Sequence, residues 1–352
     1  MEIDVIGWDI GGAHLKAVML DAQGSPVQVL QYPCPLWKGL DQLRSAVNEL
    51  LKIMPSPAAH HAITMTGELA DCFQSRAEGV EQILNVMKSV LSADDLLVYA
   101  GSLGFLRADS ITEAHYQAIA SANWLASADY AVKHCGNGLF IDIGSTTTDI
   151  LALVNGQVLA QGLTDYERLI TRELIYTGVV RTAVMAIANR FFFKGHDVGV
   201  MAEYFATMAD VYRLTEELDE AHDQYESADG AEKTRQASAK RLARMIGMEW
   251  QDEPFSSWSQ LAQSIRAEQV RTLQLGCERQ LSRACWTKVP PLIGAGVGRF
   301  LVKQLAVNMR MSYVDFSDLL PVVPETLGLS PADCAPALAV AFLSRSLKNT
   351  VN

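Results

Sequence analysis

Residues 138–154 read GLFIDIGSTTTDILALV: an apolar strand halts at Asp142, passes Gly144, Ser145, Thr146, Thr147 and Thr148, and resumes after Asp149. A solvent turn calls for Gly or Asn, not for Ser followed by three Thr. A glycine turn between two strands exposes consecutive backbone N–H groups, and with small hydroxyls beside them those donors make a concave anion site. The stretch therefore reads as a phosphate-gripping loop.

The N-terminus carries an echo. In MEIDVIGWDIGGAHLKAVML an apolar strand ends at Asp9, passes Gly11, Gly12 and His14, and resumes through Lys16. Strands are expected at 3–9, 15–20 and 27–31, the last two joined by the turn DAQGSP. The second unit repeats the order as GLFIDI, DILALV and VLAQGL, with Asn155-Gly156 as a hairpin turn. Asp142 follows Asp9 by 133 positions, which points to duplication of one domain type. Each aspartate would repel a phosphate unless Mg²⁺ sat between them, held largely through its waters. Asp9 and Asp142 are thus the expected metal-holding carboxylates, and the paired loops imply a diphosphate. A third element, Gly294-Ala295-Gly296-Val297-Gly298 before a helix, lets a ligand approach closely and offers that helix's N-terminus to an anion.

Elsewhere the period alternates. Leu40, Leu43, Val47, Leu50 and Met54 share a helix face, an apolar run surrounds Ile63, and residues 79–91, 112–134, 204–218, 237–247 and 256–284 read as helices around a strand at 96–99. Ser330-Pro331-Ala332-Asp333 looks like the cap of a C-terminal helix. The chain is α/β: an N-terminal domain at 1–136, and a second at 137–352 with a helical insertion at about 170–285, the last helix packing back on the first domain.

With 352 residues, two domains are affordable in size. The net charge of −11 from 29 basic and 40 acidic side chains excludes a long-range attraction for nucleic acid or anionic lipid. Six cysteines without a CxxC pair argue against a zinc site or disulfide framework and fit a reducing cytoplasm. No export signal or membrane span is visible, and oligomeric state is left open.

DIGG, DIGSTTTD and GAGVG, in that order and spacing, resemble the two phosphate motifs and the adenosine motif of the actin, sugar kinase and Hsp70 superfamily. That resemblance implies two RNase H-like domains with a ligand cleft between them. DIGSTTTD is similar to the hydantoinase A and oxoprolinase branch. TMTGELAD (64–71), SANWLA (121–126), RELIYTGVVRT (172–182) and EYFATMADVYRL (203–214) resemble its subgroup linked to tetrahydromethanopterin-dependent one-carbon transfer in methylotrophs and methanogens. The subgroup implies a step of methanofuran biosynthesis: an aminomethylfuran-methyl diphosphate alkylates the phenol of γ-glutamyltyramine and releases diphosphate. Glu68 or Asp149 would take the phenolic proton, and Tyr176 and Arg181 would bind the second substrate unless the arginines only decorate a helix. Lys16, in GGAHLK where relatives have GGTFTD, would add a point charge at a fixed leaving group. An ATP-dependent kinase or amidohydrolase, and a nucleotide-binding protein without turnover, stay open as alternatives, so ATP is possible but not favoured. His60-His61 and His134-Cys135 read as structural, the Phe191–Phe193 run as core, and Asp210 with 218–236 as a solvated face or lid.

Overall fold

In a computed structural model the described residues are 2–53, 58–91, 96–283, 286–321 and 328–351. Met54 and Cys285 lie outside them. The first sheet contains β1 (Ile3–Ile10), β2 (His14–Asp21) and β3 (Pro26–Pro33) as an antiparallel meander. After α1 (Leu40–Lys52), β4 (Ala58–Met65) joins β1 in parallel. Then α2 (Arg76–Val90) leads to β5 (Leu96–Tyr99), parallel to β4, and β6 (Phe105–Arg107) closes the edge. The order is β3-β2-β1-β4-β5-β6. Pro26 and Pro33 sit at the ends of an edge strand, where a missing N–H does least harm. Central β1 is buried on both faces: Ile6, Trp8 and Ile10 enter a core shared with Leu43, Val47, Ile83 and Met87.

Where the sequence reads one helix over 112–134, the chain makes two, α3 (Glu113–Ile119) and α4 (Asn123–Cys135). The break is at Ser121, whose φ of 50° is left-handed and unfavourable for a residue with a Cβ. Its hydroxyl thereby reaches Glu68 at 2.7 Å.

The second sheet begins with β7 (Gly138–Ile143) and β8 (Thr148–Val154), followed by β9 (Gln157–Val158), α5 (Asp165–Thr171) and β10 (Leu174–Ile175). VLAQGL does not continue as a strand: the amides of Gln161 and Gly162 donate to the Glu173 carboxylate at 2.8 and 2.9 Å, drawing the chain away into α5. A hairpin follows, β11 (Arg190–Phe193) with β12 (His196–Gly199). Alternation there buries Phe191 and Phe193 but leaves Phe192 exposed, so the run is only partly core. The expected helix at 204–218 contracts to α6 (Met208–Leu214), because Thr207 and Asp210 close a capping box at its start.

Next come α7 (Arg235–Met245), α8 (Phe255–Arg283), β13 (Leu292–Ala295), α9 (Arg299–Met309), β14 (Tyr313–Asp315) and α10 (Ala335–Val351). β13 runs parallel to β7, and the sheet order is β10-β8-β7-β13-β14 with β9 on β8. The order β10-β8-β7-β13-β14 follows that of β3-β2-β1-β4-β5 in the first sheet, with β6 and β9 outside the correspondence. The tract at 218–236 is neither a bare solvated face nor loose: Arg213 binds Glu220 and Asp223 at 2.7 and 2.6 Å, while buried Arg241 binds Asp210 and Asp229 at 2.8 and 3.0 Å.

By packing, Met1–Gly138, Leu153–Leu159 and Asp315–Asn352 form one compact unit, and Leu139–Ala152 with Ala160–Val314 the other. The C-terminal segment thus groups with the first unit instead of ending the second. Ser330-Pro331-Ala332-Asp333 forms a capped 3₁₀ turn, one turn ahead of α10 proper. α10 lies on β1 at Gly7, where any Cβ would collide with the Ala337 carbonyl and with Ala341. Gly7→Ala should lower stability by about 1–3 kcal/mol through forced overpacking; an unchanged thermal midpoint would show that the helix is not seated there.

Candidate functional site

In the first unit, Asp9 is the last residue but one of β1 and is 5% exposed. Its register partners are Lys16 on β2 and Thr64 on β4. Directly opposed strand residues share a sheet face, so the three side chains form a row. The Asn123 amide lies 3.4 Å from the Asp9 carboxylate. Gly11 N–H donates to the His14 carbonyl at 3.0 Å and closes the loop. The carbonyls of Gly12 and Ala13 accept from the amides of Leu36 and Cys34 at 3.0 and 2.8 Å. His14 is buried at the start of β2, and Lys16 Nζ donates to the Asp333 carbonyl at 2.9 Å.

The loop of the second unit is built in the same way. Gly144 N–H donates to the Thr147 carbonyl at 2.8 Å, the counterpart of the bond from Gly11 to His14. The Gly144 carbonyl accepts from Val179, and that of Ser145 from Val180 and Arg181, at 2.8–3.1 Å. Thr148 Oγ1 donates to the Thr177 carbonyl at 2.7 Å. Gly178 lies so close that a Cβ would collide with the backbone of Gly144, Ser145 and Thr146. Gln269, bonded to Thr177 Oγ1 and the Gly178 carbonyl at 2.8 and 2.9 Å, fixes this support from α8. Neither Gly178 nor Gln269 stood out in the sequence, although a glycine inside YTGVV was a signal of close approach.

Asp142 is the last residue but one of β7 and is 9% exposed. The glycine-rich turn serves it: Gly296 has φ 79°, and a Cβ there would collide with the Asp142 carboxylate and the Ile143 carbonyl. Gly298 packs on Ile143 and Val179, and its N–H donates to the Ile143 carbonyl at 2.8 Å. Gly294 has a different cause from the one expected. A Cβ there would fall 2.7 Å from the Tyr313 ring, so an internal aromatic takes the space assigned to a ligand.

The two proposed proton acceptors are held in protein contacts. Glu68 is wholly buried, with the Ser121 hydroxyl on one oxygen. Asp149 is bound by buried Arg168 at 2.6 Å; burial pushes its carboxyl above the ordinary value and the guanidinium opposes that shift. Arg168 is therefore an ion-pair partner inside the fold and not a surface decoration. Arg181 does reach the loop, 3.5 Å from Thr146 Oγ1, with its guanidinium 5.6 Å from the Tyr225 ring. Burial raises the phenol pKa of Tyr204, and the charge of Arg181 opposes the shift. Tyr176 is 68% exposed. His61 accepts from the Trp8 indole at 3.2 Å and His134 bonds the Tyr130 carbonyl at 2.8 Å, both packing contacts.

Among the described residues no group of three His, Cys, Asp or Glu side chains could hold a metal. That leaves single carboxylates, and magnesium takes only one or two of these with waters and phosphate oxygens.

Two sheets of similar central strand order, each with a loop after a strand that carries an aspartate next to its last residue, define an α/β protein of two compact units. The hydantoinase/oxoprolinase family pattern matches residues 60–336, and the chain belongs to that family. It is 31% identical over 247 residues to the (4-{4-[2-(γ-L-glutamylamino)ethyl]phenoxymethyl}furan-2-yl)methanamine synthase of Methanocaldococcus jannaschii, covering 70% of this chain and 72% of that protein. With the synthase of the same name from Methanococcus vannielii it shares 34% over 110 residues, 31% of this chain and 49% of that one. Among solved structures, nucleotide-free acetone carboxylase superposes with a TM-score of 0.54 at 11% identity, over 97% of this chain and 70% of that one, a likeness of fold alone. The first loop lies outside the matched span 60–336. No helix among the described residues is long and apolar enough to cross a membrane.

Arg168→Met should cost about 3–5 kcal/mol in denaturant unfolding, because Asp149 is left without its counter-charge. Adding Asp149→Leu should recover most of the loss; no recovery would mean that Arg168 acts by packing alone.

Proposed function

We propose that the protein is an alkyl-transferring synthase of methanofuran biosynthesis. It joins an aminomethylfuran-methyl diphosphate to the phenol oxygen of γ-glutamyltyramine, or a similar phenol, and releases diphosphate. The observation that carries this reading is the identity to the Methanocaldococcus jannaschii synthase over most of both chains. That relative's product is an aryl furfuryl ether, so the bond made joins a phenol oxygen to a furan methylene.

In the step, the carbon–oxygen bond to diphosphate breaks, the carbon–oxygen bond to the phenol forms, and the phenolic proton is released. The furan ring delocalises positive charge at the methylene, so the larger demand falls on the diphosphate as its charge grows. Preorganised N–H donors act best at such a point, because they need no reorientation during the reaction. We assign this task to the loops at Gly11-Gly12 and Gly144–Thr147, with His14 and the ammonium of Lys16 as further donors. Asp9 in the first unit and Asp142 in the second are each assigned to hydrated Mg²⁺, through its waters. The collision that a Cβ at Gly296 would make with Asp142 supports that assignment, since the turn keeps room for the carboxylate and nothing else. Magnesium, when bound, neutralises charge on the departing diphosphate. Arg181, beside Thr146 and the Tyr225 ring, is assigned to a substrate anion, and exposed Tyr176 to the acceptor. Glu68 and Asp149 are given a supporting role, holding the Ser121 and Arg168 contacts around the loops.

The direct test is to incubate the protein with the synthetic furan diphosphate, γ-glutamyltyramine and Mg²⁺, and to follow the ether by mass spectrometry with diphosphate release in equal amount. ATP-dependent phosphorylation or amide hydrolysis with no ether would contradict the proposal. Asp9→Asn and Asp142→Asn should each lower turnover by about two orders of magnitude with the fold intact. Gly12 gives a sharper probe, since no described atom lies within 4 Å of a Cβ there. Gly12→Ala should keep the wild-type melting temperature yet weaken binding of Mg²⁺-diphosphate; unchanged binding would remove the first loop from the site.

A further inference from the structure

Three features of the first unit bear on how Asp9 is held. The Thr64 hydroxyl is completely buried and makes no hydrogen bond. A buried hydroxyl without a partner is unfavourable, and an apolar isostere in its place is neutral or stabilising. Thr64 nevertheless occupies the strand position next to Asp9, on the side opposite Lys16. The second feature is the break between α3 and α4, with Ser121 in a left-handed conformation that only a compensating gain sustains. The third is what the break delivers: Ser121 Oγ to buried Glu68, and the Asn123 amide to Asp9. A continuous helix would offer neither donor.

Resting on the diphosphate reading above, we infer that Thr64 and Asn123 are positioning residues for Asp9, aiming its carboxylate at a hydrated divalent cation. Asn123 steers one carboxylate oxygen. At 3.4 Å its bond is too long to add much to folding, so its effect is on direction. Thr64 holds a donor in reserve beside the same carboxylate, used when the side chain turns to its ligand. The clamp of Ser121 on Glu68 fixes the segment from which Asn123 projects.

The test is equilibrium dialysis of radiolabelled diphosphate with Mg²⁺ against wild type, Thr64→Val, Thr64→Ser and Asn123→Ala, with a melting curve for each. Residues that orient a metal ligand typically change affinity by 10–100-fold. Thr64→Val and Asn123→Ala should each weaken binding by about tenfold, at the low end of that range, with Thr64→Val melting no lower than wild type. Thr64→Ser, which restores the hydroxyl, should restore the affinity. Wild-type affinity in both Thr64→Val and Asn123→Ala, or affinity that falls only in step with the melting temperature, would overturn the inference and leave the diphosphate reading standing. A wild-type protein that binds no diphosphate would overturn that reading and this inference together.

Discussion

The fold turns on how a strand can stop at a carboxylate inside a sheet. Asp9 and Asp142 each stand one residue before the end of a central strand and each is nearly buried. A buried ionised carboxylate is costly unless it is paired or hydrogen-bonded. Both are followed by a loop closed by one backbone bond across three residues, Gly11 to His14 and Gly144 to Thr147. In both, the loop carbonyls are taken up by amides of a later segment, 34–36 in one case and 179–181 in the other. The carbonyls that would repel an anion are thus already engaged. The repetition of this closure, 133 positions apart, is stronger evidence of duplication than the strand order alone.

Much of this was legible in the residues. Hydroxyl runs and paired glycines after apolar strands gave the loops, and the meander of three strands followed from turns such as Asn155-Gly156. Long-range polar contacts were not legible. Nothing local says that Glu173 will capture the amides of Gln161 and Gly162, yet that capture ends the strand expected at VLAQGL. The helical pattern over 112–134 is genuine, and tertiary contacts of Ser121 and Asn123 override it. Gly294 shows the opposite error: a glycine read as room for a ligand is room for Tyr313. Asp149 and Arg168, read apart in sequence, are one ion pair across 19 positions.

The chemistry proposed makes modest demands on such a scaffold. It needs no strong nucleophile, because the furan stabilises its own cation and the phenol oxygen is the attacking atom. It needs rigid donors at a leaving group, and both loops are braced by backbone bonds that side-chain substitution does not remove. A fold that also serves an ATP-dependent carboxylase can host other chemistry, since fold alone does not fix function.

The most direct measurement is isothermal calorimetry of the purified protein in Mg²⁺ buffer, titrated in parallel with diphosphate, ADP and ATP. Diphosphate bound in preference to both nucleotides, with binding lost when Mg²⁺ is withdrawn, is the result the account predicts. Tight binding of ATP with little response to diphosphate would contradict it and return the loops to a nucleotide.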